Sequence, residues 1–61
     1  MDWQHEVWAE ALWVERHKGE GGPYFIAERI AALALDADEA GVTRWKQIAA
    51  AYDQLRGGRA Q

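Results

Sequence analysis

Sixty-one residues with no cysteine make one domain at most, and one without a disulfide to stabilise it. Apolar residues reach 49%, too many for a disordered chain of this modest charge. The net charge of −3 repels phosphate backbones and disfavours a nucleic-acid role.

A chain this short buries only ~60% of the surface its unfolded form exposes, so its core is marginal. Tight helix packing, a metal or a partner subunit are the usual remaining aids. Alanine is frequent and proline occurs once, which suits helices. The expected fold class is all-α: a compact three-helix bundle, with helices over about 3–18, 23–37 and 38–56 in one domain of 1–56, and a flexible tail over 57–61.

The first helix is expected from Trp3, capped by Asp2, to His17 or Lys18. Trp3, Val7, Ala11 and Val14 share one stripe at helical spacing, and Trp8 and Leu12 widen it on one side. Trp13 points about a third of a turn or more away from the stripe. Arg16, His17 and Lys18 close the helix where positive charge suits its dipole.

Gly19, Glu20, Gly21, Gly22 and Pro23 read as a linker. Gly19 can take the left-handed conformation that ends a helix, and Pro23 fits the first position of the next. In that second helix Ile26, Ile30, Leu33 and Ala34 form the inward stripe, with Ala27 beside them. Tyr24, Phe25 and Leu35 lie off it. Arg29, at the stripe's edge, is expected to bridge to a carboxylate of another helix.

The third helix carries the cleanest pattern: Val42, Trp45, Ile48, Ala49, Tyr52 and Leu55 recur at steps of three or four. Its start is set at Asp38, with Gly41 inside the helix, where the missing side chain lets another helix approach. A rival reading stops the second helix near Glu39 and caps the third with Thr43. The expected core is Val7, Ala11, Leu12, Ile26, Ile30, Leu33, Trp45, Ile48, Ala49, Tyr52 and Leu55. Trp3 and Trp8 also fit the core.

No catalytic constellation stands out. There is no serine and no cysteine, and only one threonine, so triad-type acyl transfer is disfavoured. His5-Glu6 begins like a zinc-protease motif, but Ala9 stands where the second histidine belongs. His17 is over three turns from His5 along one helix, too far to share a metal with it. The glycine-rich stretch lacks the lysine and hydroxyl residue of a phosphate loop. An aromatic cage from Trp8, Trp13 and Tyr24 is conceivable, with nothing in the spacing to gather those rings. No catalytic residue, metal or cofactor is therefore expected.

Three segments carry a resemblance: Trp8 to Leu12 (WAEAL), Phe25 to Ala34 (FIAERIAALA) and Gly41 to Ala49 (GVTRWKQIA). Together they resemble an uncharacterised family of short alphaproteobacterial helical proteins, a domain of unknown function, over about residues 3–55. That family shows a histidine-glycine turn in the first loop, where this chain has Lys18 between His17 and Gly19. The resemblance implies a bacterial, cytoplasmic, helical protein and carries no activity with it.

The N-terminal stretch has Asp2 and Glu6 in place of basic residues and no apolar run, so no secretory leader is expected. The longest aliphatic run, Ile30 to Leu35, is far short of a membrane span. The functional expectation is a non-catalytic interaction or self-association module, forming a homodimer with the first helix at the interface. Trp3, Trp13, Tyr24, Phe25 and Leu35 are the interface candidates. The alternative is a small DNA-associated regulator using helices two and three as a helix-turn-helix, with Arg44 and Lys46 facing DNA.

Overall fold

The computed structural model describes residues 3–57, with Trp3 described for its backbone alone. Helix α1 runs Trp3–Lys18, a single 3-10 turn covers Gly19–Gly21, α2 runs Gly22–Leu35 and α3 runs Glu39–Gly57. Every described residue outside these elements lies in the short connection Asp36, Ala37 and Asp38. The all-α expectation holds, but the expected separation of three helices does not. α1, the 3-10 turn and α2 follow one another without a break, so the chain is one long bent helical arm, 3–35, packed against a second helix. Gly57 is helical, whereas a tail was expected from that residue; the rest of that tail and the Asp2 cap lie outside the described residues.

The bend replaces the expected linker, and its chemistry explains why. Gly19 has φ +53, the left-handed value foreseen for it. Its carbonyl accepts the Gly22 backbone N–H and also the Tyr52 hydroxyl of α3, at 2.7 Å. Both acceptor positions of that oxygen are therefore filled. Pro23, lacking an N–H, sits in the first turn of α2, where it leaves no donor unmatched. Gly22 is buried against the Tyr52 ring; a Cβ there would lie 2.7 Å from Cε1 of that ring.

The second connection is longer than expected: three residues, Asp36 to Asp38, separate α2 from α3, where adjoining helices were expected. α2 ends at Leu35, with Asp36 as its cap. Ala37 donates to the Ala34 carbonyl at 3.0 Å and Asp38 donates to the Leu33 carbonyl at 2.9 Å. This is the paired bonding of a Schellman stop, with the left-handed position filled by Ala37 at φ 59 rather than by glycine. Asp38 then caps α3: its carboxylate accepts the Gly41 N–H at 2.9 Å, and its carbonyl accepts the Val42 N–H at 3.0 Å. The Asp38 start holds and the Thr43 start falls. At Gly41 the close neighbours of an added Cβ would be the Asp38 carboxylate and Cδ2 of Leu33, at 2.7 and 3.0 Å. The missing side chain does admit another helix, through the Leu33 side chain of α2.

α3 is the central element: α1 and α2 each pack on it far more than on each other. The core is Val7, Ala11 and Val14 from α1, Ile26 from α2, and Trp45, Ile48, Ala51 and Tyr52 from α3. Phe25, Ile30, Leu33, Ala49 and Leu55 pack around it, half-buried. Val14 and Ala51 are core residues that the expected set omits. Leu12, expected inside, is exposed, as is Trp8. Their side of the α1 stripe has only α3 beneath it, because α2 covers the opposite side.

Two substitutions test this account of the connections. Tyr52→Phe keeps the ring and removes the hydroxyl; it should lower unfolding free energy by about 1 kcal/mol, the size of one ordinary hydrogen bond. Ala37→Gly relieves a left-handed alanine and should raise stability by ~1 kcal/mol. Urea unfolding followed by helical ellipticity measures both. An unchanged or lower midpoint for Ala37→Gly would count against the left-handed turn.

Candidate functional site

Beside the bend the two arms gather aromatic rings and cations. The Trp13 ring stacks on His17, one turn later in α1, with centroids 4.5 Å apart and an 18° interplanar angle. Nδ1 of His17 also lies 2.9 Å from the Trp13 carbonyl oxygen, fixing the imidazole to its own helix. On its other side Trp13 meets Phe25 of α2 at 6.1 Å, and Phe25 meets the edge of Trp45 in α3 at 6.0 Å and 70°. Phe25 thereby ties all three helices together. An interface candidate by sequence, it is a half-buried packing residue in the structure.

Two cations sit on these rings. The Lys18 ammonium lies 4.8 Å from the Phe25 centroid. The Arg29 guanidinium lies 5.9 Å from Phe25 and 5.3 Å from Trp45. Ring faces are attractive to cations because of their quadrupole, and Arg suits them best. The expected bridge from Arg29 to a carboxylate is absent among the described residues; its charge rests on two aromatic rings instead. A cleft of about 360 Å³ opens beside it, lined by Ala9, Glu10, Trp13, Arg29 and Trp45. The chain's own cations already lie over the Phe25 and Trp45 rings. The suggested cage of Trp8, Trp13 and Tyr24 is not assembled: the three rings lie in different surroundings.

The remaining polar candidates are dispersed. Glu6 faces Arg44 across α1 and α3, 3.8 Å away and partly exposed, an ion pair of small energetic weight. Among the described residues no three metal-ligating side chains converge. No described helix is long and apolar enough to cross a membrane.

The surface holds the more unusual feature. Among the described residues five large apolar side chains remain exposed: Trp8 at 39%, Leu12 at 40%, Trp13 at 44%, Tyr24 at 70% and Leu35 at 88%. Trp8 borders a shallow groove between α1 and α3, formed with Gln4, Val7, Gln47, Ala50, Ala51 and Gln54, with no charged group in it. Tyr24 and Leu35 stand at opposite ends of α2 on its outward side, with exposed Ala27, Glu28 and Ala31 between them. Glu28 accepts from the Tyr24 hydroxyl and adds its own negative charge beside it, which holds the phenol above its ordinary range. Of the interface candidates, then, Trp13, Tyr24 and Leu35 are exposed, Phe25 is packed, and the Trp3 side chain lies outside the described residues.

A family model matches residues 3–60. The chain belongs to DUF6961, a family of unknown function. No curated protein and no solved structure matches it. The DUF6961 match takes in both arms, the bend and all the surface residues above, so these features lie within the family's own region.

Sequence reasoning missed the joint role of Phe25 because its position on the α2 wheel falls outside the main stripe. The signal was available in spacing: Phe25 and Arg29 are one turn apart and share a face. Phe25→Ala should therefore destabilise the fold by ~2 kcal/mol, below the 3–5 typical of a fully buried ring. Trp13→Ala should cost less. Urea titration of the two variants decides the order, and a neutral Phe25→Ala would remove the three-helix joint.

Proposed function

We propose that this DUF6961 domain is a non-catalytic self-association module, in which three helical segments pack as one unit and present apolar surface to a second copy. The observation that carries the reading is the set of five large apolar side chains exposed among the described residues of so short a chain. A helix that is apolar around its whole circumference calls for burial on all sides, and α2 comes close: Glu28 and Arg29 are its only charged residues. A second copy is the commonest source of the missing cover. The absence of serine and cysteine, and the scatter of the histidines and carboxylates, support a role without catalysis.

The helix-turn-helix reading draws little support. α3, which would have to lie in the DNA groove, is the helix that both others pack on, and Arg44 is engaged with Glu6. Resemblance to short alphaproteobacterial proteins and a cysteine-free composition support a bacterial cytoplasmic setting as part of the same proposal.

Sedimentation equilibrium from low to high micromolar concentration tests the reading. A monomer–dimer equilibrium is expected, and a chain that stays monomeric throughout overturns it. Random duplex DNA at low salt should show no retardation with this protein; a strong, salt-sensitive shift would favour the regulator instead.

A further inference from the structure

The bent arm has an alternative form close at hand. α1 packs chiefly on α3 and touches α2 little; Val7, Ala11 and Val14 are its buried residues. The covalent tie between α1 and the α2–α3 pair is the joint Gly19–Gly21. Within that joint Gly19 alone has a positive φ, +53. Gly21 and Gly22 stand at φ −82 and −57. Rotation at Gly19 to the right-handed value would therefore go most of the way to merging α1 and α2 into one helix over 3–35.

Pro23 stands against that straight helix. In an α-helix the Gly19 carbonyl accepts from the amide four residues on, and residue 23 has no N–H to give. The proline ring would also press on the same carbonyl. In the bent arm this oxygen is satisfied otherwise, by the Gly22 N–H and by the Tyr52 hydroxyl at 2.7 Å. We propose that Gly19, Pro23 and Tyr52 form a latch against arm exchange. With the latch closed, α1 lies on its own α3. With it open, the arm straightens and α1 of each copy seats on α3 of a second copy.

Length makes the second copy the occupant. Gly22 lies against Tyr52 and Gly41 lies beside Leu33, so α2 and α3 run antiparallel. From Tyr52 to the end of α3 at Gly57 the helix rises only about 8 Å. Along a straight arm Val14 would stand about 12 Å beyond Gly22, and Val7 about 22 Å. The buried residues of α1 would all pass the end of their own α3 and leave its α1-facing side bare. That side is already shaped to fit α1, because α1 fills it in the closed chain. Exchange rebuilds the α1–α3 packing between copies and alters only the joint, so it needs no new complementary surface. This inference goes beyond surface self-association and does not depend on it.

The chain has no cysteine, so thiols can be placed without background. Glu6 of α1 faces Arg44 of α3 at 3.8 Å. Glu6→Cys and Arg44→Cys proteins, each also carrying Pro23→Ala, are unfolded together, refolded as a mixture and treated with a short bis-maleimide. Exchange gives covalent dimers that join the two variants, and few in either protein alone. By sedimentation equilibrium Pro23→Ala should lower the dimer dissociation constant by roughly a hundredfold or more, with helical ellipticity retained. Gly19→Ala is an independent variant: no atom crowds an added Cβ there, so its positive φ alone opposes the bent form, and it should move the constant the same way. Gly21→Ala, equally uncrowded and at φ −82, should leave it within about threefold. If neither Pro23→Ala nor Gly19→Ala associates more tightly than the wild-type chain, the latch is wrong. Dimers of Pro23→Ala that do not join position 6 of one copy to position 44 of the other overturn it too, and leave surface self-association standing. A wild-type chain that stays monomeric while Pro23→Ala links across copies supports the latch and overturns surface self-association alone.

Discussion

The carbonyl oxygen of Gly19 is where the fold is decided. It takes one donor from its own strand of chain, the Gly22 N–H, and one from far away, the Tyr52 hydroxyl. The first turns the helical arm; the second fastens the turn to α3. Without the side-chain donor the bend would be a local preference of three glycines, free to open. With it, the directions of α1 and α2 are set relative to α3, and the aromatic cluster beside the bend acquires fixed partners. Gly22 completes the arrangement because its bare Cα lets the Tyr52 ring lie against the backbone.

That dependence explains what was legible in the sequence. Helix content, the left-handed Gly19, the position of Pro23 and the Asp38 start follow from local rules that act over a few residues. The periodic set on α3 is also read well, because that helix is covered from two sides and shows it at Trp45, Ile48 and Tyr52. What was not legible is the continuity of the first arm. Glycine runs ordinarily break helices, and the Tyr52 hydroxyl, thirty-three residues away, helps hold a 3-10 turn here. Leu12 was placed inside for a related reason. A helical stripe gives the direction of burial, but its width depends on how many neighbours a helix has, and α1 has α3 chiefly. Ala51 escaped notice because alanine gives little hydrophobic signal even where it is enclosed.

The same long-range geometry decides which surface side chains stay exposed. Tyr24 and Leu35 lie off the α2 stripe and are exposed, as the wheel indicates. Phe25 lies off it too, yet is drawn inward by Trp13 and Trp45, which the bend brings to it. The charge of Arg29 suits an ionic partner, whereas its neighbours are the aromatic faces of Phe25 and Trp45. In each case residue type gave the kind of interaction available, and the long-range geometry chose among them.

The connection between α2 and α3 has a consequence for how sequences of this type can vary. Asp38 serves two helices at once: its N–H closes α2 on Leu33, while its carboxylate and carbonyl open α3 on Gly41 and Val42. No residue is left over to absorb a change of length. One inserted residue would rotate α3 by about 100° relative to its cap, turning Trp45 and Ile48 out of the core. The bend at Gly19–Gly21 is more forgiving, because its conformation is carried by glycines and by a single side-chain bond from outside. Insertions and deletions among homologous chains should accordingly gather at the first bend and at the ends, leaving the stretch from Leu33 to Val42 constant in length.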